Sequence, residues 1–227
     1  MAITAKSIIQ RAAETLQDLG GVRWTSAELV RYLNDGQREI CVYRPDATEQ
    51  WAEVSCVAGP RQTLPDDGAK LIDITRNTSL VSQRNAIRMV DRSLLTSQVP
   101  GWYSEAQAAD IVHYMYDARD PKIFFVYPPA STSAKIEILY SAYPVDIDEP
   151  TSGVTYTSVS GDISVADQFA NALTDYVLYR AFTKDAEMSG TAGRAQAHYA
   201  QFANAIGIEL KSTAGVAPML SGKAGVQ

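Results

Sequence analysis

Helical periodicity occupies both ends of this chain, and short β-type runs separated by turn residues fill the middle. This ordering constrains the fold more than any other feature. A lone pair of amphipathic helices buries too little apolar surface, so the two terminal pairs must complete one core across the intervening segment. Ile8, Ile9, Ala12, Leu16 and Leu19 recur at helical spacing and predict a first helix over 5–19, capped by Thr4 and stopped by Gly20-Gly21. Thr25-Ser26-Ala27-Glu28 has the spacing of a capping box and opens a second helix, with Leu29, Leu33, Gly36 and Ile40 on one face and Pro45 beyond its end. Gly36 weakens a helix by about 1 kcal/mol, which predicts that a neighbouring helix comes close at this point.

From 50 to 145 the pattern changes. Trp51–Val57, Leu71–Thr75, Ala86–Val90, Ile111–Tyr116, Lys122–Tyr127 and Lys135–Tyr140 read as strands. Gly59-Pro60, Pro65-Asp66-Asp67-Gly68, Pro100-Gly101, Asp120-Pro121 and Pro128-Pro129 read as the turns between them. Ser164-Val165-Ala166-Asp167 resembles a further cap and predicts a helix to Glu187, with Phe169, Leu173, Tyr176, Val177 and Ala181 on its stripe. After a tight connection at Met188-Ser189-Gly190-Thr191, a last helix is expected over 192–209, with Tyr199, Phe202 and Ile206 in phase. The expected class is α+β: a four-helix bundle from the N- and C-terminal segments with an inserted antiparallel β sandwich or barrel-like module. In residue ranges, 1–48 and 160–210 form the helical body, 49–150 the β-rich domain, 151–159 a linker and 211–227 a C-terminal tail.

Hydrophobic residues at 46% and charged residues at 20% supply enough apolar material for a core and exclude disorder of the whole chain. No apolar run reaches the length of a membrane-crossing helix, and Met1 to Lys6 predicts no secretory signal. The net charge of −6 is opposite in sign to that of proteins that grip nucleic acid by its phosphates. Cys41 and Cys56 form no Cys-x-x-Cys pair and are expected as ordinary thiols.

The residues offer little for catalysis. A Ser-His-Asp relay needs a histidine beside a nucleophile on a sharp turn, and no Gly-x-Ser-x-Gly is present. His113 sits in an alternating strand and reads as a side chain on a sheet face, while His198 shares the last helix with Tyr199 and reads as a packing or surface residue. Asp117 and Asp120 flank Arg119, and the local run with Pro121 reads as a hairpin turn in which Arg119 pairs with an acid. Gly190, Gly193 and Arg194 lack the Gly-Lys-Ser/Thr ending of a phosphate-binding loop. No metal-ligand spacing and no cofactor motif occurs. Arg84, Arg88 and Arg92, spaced by four, share a face in a strand or a helix and are expected to pair with acids on a neighbouring subunit rather than with DNA phosphates. The tyrosines and phenylalanines from Tyr114 to Tyr143 outnumber what one small core face needs, so those left exposed are candidate interface anchors.

Several strings resemble the head-to-tail adaptor family of short-tailed bacteriophages, the T7-like tail tubular protein A type. They are Leu33-Asn34-Asp35-Gly36-Gln37-Arg38-Glu39-Ile40, Ile72-Asp73-Ile74-Thr75-Arg76-Asn77, Val90-Asp91-Arg92, the run from His113 to Pro121 with the Val126-Tyr127-Pro128-Pro129 ending, and Asp175 to Glu187. The likeness covers residues 5–210. It implies a non-enzymatic virion protein of the neck, assembled in the host cytoplasm, that binds the phage portal protein and the tail nozzle protein. It also implies a homo-oligomeric ring of about twelve copies, closed by symmetry, around a channel that DNA crosses without specific binding and without any membrane. No catalytic residue transfers from the family. The candidate interface residues are Arg84, Arg88, Arg92 and Arg119, with Ser212, Met219 and Leu220 in the tail. Another neck or tail component, such as a stopper or head-completion protein, is the alternative, and an envelope-acting hydrolase a lesser one.

Overall fold

Thr4 and Thr25 start the first two helices by the chemistry their positions suggest. In the computed structural model, which describes residues 3–79, 85–185 and 190–207, Thr4 Oγ1 accepts from the Ser7 amide at 3.3 Å and opens α1 (Ala5–Thr15). Thr25 Oγ1 accepts from the Glu28 amide at 3.3 Å and opens α2 (Ser26–Tyr43). Only this half of the capping box forms. Glu28 instead accepts from the Tyr32 hydroxyl at 2.7 Å and from Lys184 Nζ at 2.8 Å. That ties α2 to α4 (Ala170–Lys184).

The helix α1 ends at Thr15, short of the expected 19, because Gln17 turns into the left-handed region with φ of 56°. Leu19 therefore leaves the apolar stripe and is exposed. Ser164 caps nothing: its amide donates to Gln37 Oε1 at 2.6 Å and its hydroxyl to the Val145 carbonyl at 2.9 Å. A 3-10 turn over Asp167–Phe169 intervenes, and α4 begins only at Ala170. The last helix, α5 (Thr191–Ala205), follows Gly190, whose φ of 88° favours glycine. The connection at 186–189 lies outside the described residues.

Seven strands are found among the described residues: β1 (Glu49–Ser55), β2 (Gly59–Thr63), β3 (Gly68–Asn77), β4 (Arg88–Met89), β5 (His113–Tyr116), β6 (Ile123–Ala130) and β7 (Lys135–Ala142). They form a three-stranded sheet in the order β1-β7-β3 and a four-stranded sheet in the order β2-β6-β5-β4. A short helix, α3 (Arg92–Gln98), follows β4. Leu71, Ile74, Ile136, Ile138 and Tyr140 of the first sheet and Tyr114, Phe124 and Val126 of the second bury their side chains in one cluster.

The four-helix bundle with an antiparallel module is thereby corrected. The described chain is α+β with five helices and two sheets, of three and four strands. Two physical reasons account for the difference. First, α4 is a hub: α1, α2 and α5 each pack mainly on it, and α1 and α2 touch one another little. Ile147, Val159, Ile163 and Val165, from the segment between β7 and α4, fill core volume that a regular bundle would give to helix. Second, β4 pairs with β5 in parallel, so the four-stranded sheet is mixed.

Gly36 does mark a close approach. A Cβ there would lie 2.9 Å from Tyr176 Cδ1 and 3.2 Å from Leu173 Cδ2, both on α4. Two buried polar residues of α2 hold the segment that leads to α4. Asn34 Nδ2 donates to the Ile147 carbonyl and Asn34 Oδ1 accepts from the Ile147 amide, each at 3.0 Å. Gln37 Nε2 in turn donates to Asn34 Oδ1 at 3.3 Å.

Cys41 and Cys56 are free and buried. Burial pushes the Cys56 thiol up to about 11. Since the thiolate is the reactive form, the folded protein at about pH 8 is expected to resist Ellman's reagent at both thiols, and denaturant to expose two reactive groups. Rapid labelling of the native chain would contradict this burial.

Candidate docking groove on the four-stranded sheet

One face of the four-stranded sheet serves the core, and the other is only half covered. On that second face Arg61, Phe125 and Met115 stand in register across β2, β6 and β5. The chain after β4 folds back over part of it. Asp91 caps α3, its Oδ1 accepting from the amides of Ser93 at 2.7 Å and Leu94 at 3.2 Å and from the Ser93 hydroxyl. These bonds hold the exposed Asp91 carboxyl below the usual carboxylate range. Beyond α3, Trp102 is fully buried and packs with Leu95 and Met115. Its Nε1 donates to Thr96 Oγ1 at 3.2 Å, its ring stacks on Tyr103 at 3.8 Å, and it meets Phe125 edge-on at 6.2 Å.

The uncovered end of this face is a groove of about 890 Å³. Its floor is Met115, Ile123 and Phe125; one wall runs from Met89 at the end of β4 to Ser93 in the first turn of α3, the other is the β5–β6 turn from Tyr116 to Asp120, and Arg61 also lines it. The turn is closed by the Asp120 amide donating to the Asp117 carbonyl at 2.9 Å. The Arg119 guanidinium grips both oxygens of Asp117, at 2.7 to 3.1 Å, and holds that carboxyl down to about 2. Arg92 lies over the Phe125 ring at 5.6 Å.

Of the residues singled out from sequence, Arg92 and Arg119 come together on the walls of this groove. Arg88 is exposed on β4, opposite His113 in the parallel register, and does not line it. Arg88 and Arg92 belong to different elements, so their spacing does not give the single strand or helix face expected. Arg84, Ser212, Met219 and Leu220 lie outside the described residues. Arg61 was missed because Gly59-Pro60 read as a turn; the chain there carries a bulge and then pairs with β6. The helix α3 was missed because seven residues are too few to show a period, although Asp91 before Arg92-Ser93 is an N-cap signal.

The histidines are placed elsewhere. His113 stacks at 6.3 Å on Tyr127, with its Nδ1 buried and unpartnered among the described residues. His198 Nδ1 is 2.9 Å from Asp175 Oδ1, and its ring stacks on Phe182. An apolar floor rimmed by fixed charges suits docking of a protein segment, with aromatic and arginine side chains as anchors.

No curated protein matches the chain. The model of the SU10 adaptor protein family matches residues 3–221, which includes every described residue. On that nearly full-length match, the chain belongs to the SU10 adaptor protein family and is a structural adaptor protein of a bacteriophage.

Proposed function

We propose that this chain is the head-to-tail adaptor of its phage. Copies form a ring of about twelve, as a head-to-tail contact allows when its rotation closes. The ring docks on the portal protein on one side and carries the tail nozzle protein on the other. It leaves a central channel for DNA ejection, with an acidic wall that lets DNA slide without specific binding. The protein assembles in the host cytoplasm and stays in the virion neck. In this reading the segments 1–48 and 160–210 act as one helical body, 49–150 as the β-rich body and 151–159 as their linker, while the tail, with Ser212, Met219 and Leu220, binds the portal.

The family match over residues 3–221 carries this reading. The half-covered sheet face with its groove supports it, because an assembly subunit needs rigid docking surfaces. So does the net charge of −6.

The test is mass photometry of the purified chain, alone and with its phage's portal protein, followed by negative-stain imaging. A chain cut after Lys211 is run in parallel. A ring-sized complex on the portal, weakened by the truncation, is the expected result. A chain that ignores the portal would overturn the adaptor reading; a truncated chain that binds as well as the intact one would remove the tail from it.

A further inference from the structure

One arginine singled out from the sequence takes no part in the groove, and its side chain is unused. Arg88 is exposed on β4, the outermost strand of the four-stranded sheet. The strand is fixed there by the amides of Arg88 and Val90, which donate to the Val112 and Tyr114 carbonyls at 3.1 and 2.9 Å. Among the described arginines, only Arg61 and Arg88 have side chains with no ion pair, hydrogen bond or ring contact. Arg61 shares its groove with Asp91, Asp117 and Asp120. Arg88 is left as a fixed, exposed guanidinium without a carboxylate, and Met89 beside it is 60% exposed.

The helical body carries the matching feature. Glu39 of α2 is partly buried, and among the described residues no lysine or arginine lies within ion-pair distance of it. Its Oε2 accepts from the Tyr176 hydroxyl of α4 at 3.1 Å. Arg180 donates to the same hydroxyl at 3.4 Å, but it also lies 3.6 Å from Asp35 and 5.3 Å over the Tyr32 ring. Arg38 is committed to Asp35 and Asp146, and Arg44 to Asp46. Tyrosine rings collect around Glu39. Tyr179 meets Tyr176 at 5.8 Å and Tyr199 of α5 at 4.9 Å. Burial and the Glu39 charge push the Tyr199 hydroxyl up, with Tyr43 and Tyr179 adding to the effect. Tyr43, one turn beyond Glu39, is 51% exposed. A carboxylate without a cation among ring faces is a socket for a guanidinium, whose planar fork matches the carboxylate and whose face stacks on aromatic rings.

We propose that Arg88 of a second copy of this chain enters the tyrosine-lined socket and pairs with Glu39, with Met89 resting against Tyr43 at the rim. A thioether against a ring is a favourable contact. The two surfaces are different parts of one chain, so the contact is head-to-tail and propagates from copy to copy, closing into a ring when the rotation allows. The inference rests on the ring reading above and assigns its lateral contact. A charge pair of this kind fixes register and partner choice.

Two substitutions and a cross-link test it. Glu39→Gln removes the charge and keeps an oxygen for the Tyr176 hydroxyl, and Arg88→Glu reverses an exposed charge. Self-association is read by sedimentation velocity across a concentration series and by ring formation on the portal protein, with thermal melting to show that each variant is folded. Each substitution is expected to weaken association by about tenfold or more. For the cross-link, chains carrying Tyr43→Cys and chains carrying Met89→Cys are mixed and treated with a short thiol-reactive cross-linker; Cys41 and Cys56 are buried. A linked pair with one chain of each kind is the expected product. Wild-type rings with unimpaired variants and no such pair would overturn this contact and leave the ring reading standing. Loss from Glu39→Gln alone, with Arg88→Glu unimpaired and no linked pair, would assign the socket to a cation of a different protein and overturn it too. A wild-type chain that forms no ring, alone or on the portal, overturns the ring reading and this contact with it.

Discussion

Replacing Asn77 with alanine is expected to lower stability by about 2–6 kcal/mol, which is two stranded backbone groups at about 1–3 kcal/mol each. Asn77 ends β3 and is 1% exposed. Its Nδ2 donates to the Ile111 carbonyl at 2.7 Å, and its Oδ1 accepts from the Ile111 amide at 2.8 Å. The side chain thus acts as one residue of a strand that is not there. Ile111 is itself 1% exposed, so water cannot take over either bond in the folded state. Against a typical domain stability of about 5–15 kcal/mol, the loss is severe. Asn77→Leu fills the same space and leaves the same two groups stranded, so it should cost about as much as alanine. Urea unfolding with an unchanged slope measures both. If leucine restores most of the wild-type midpoint, the defect is a cavity and the hydrogen-bond account is wrong.

Asn77 also shows what kind of information the family-like strings carry. Asn34, Gly36 and Gln37 stand together in one string and Asn77 closes another. In the structure Asn34 holds both backbone groups of Ile147, Gly36 admits the Tyr176 ring, Gln37 holds the Ser164 amide and Asn77 holds Ile111. Those strings therefore tie α2 to the 145–165 segment and β3 to the chain before β5. Of this only the close approach at Gly36 was readable in advance, because a glycine inside a helix needs a reason. A buried asparagine has no such signature: its partners are backbone groups more than a hundred residues away for Asn34, or 34 away for Asn77.

The groove was partly legible for a similar reason. From the turn chemistry Arg119 could be paired with one of the two flanking acids but not with a particular one; it takes Asp117, and the hairpin formed as expected. Trp102 could not be placed, since its burial depends on a seven-residue helix and a 3-10 turn that are held down by tertiary contacts rather than by a period of their own. Arg61 became a groove residue only through the pairing of β2 with β6, a non-local contact that local turn residues obscured. Periodicity identified which residues are apolar on one side, but the bundle expectation failed because periodicity does not say which helix becomes the hub.

That hub gives the second large effect. Phe202→Ala is expected to cost about 3–5 kcal/mol, the usual range for removing a fully buried aromatic side chain. Phe202 is 0% exposed and lies against Tyr176 with ring centres 4.9 Å apart, and Tyr199 sits beside it at 6.2 Å. The loss should be local first. The helix α5 packs chiefly on α4, and its own sequence, with Gly193 and few buried residues beyond Ala195, Phe202 and Ala203, cannot hold a helix without that contact. The two sheets share no buried residue with this cluster. Hydrogen exchange should therefore show α5 amides losing protection before those of β6 and β7, at denaturant concentrations where the sheets remain intact. Simultaneous loss of protection in α5 and in both sheets would mean that the helical and β-rich clusters unfold as one cooperative unit, and that α5 is integral to it.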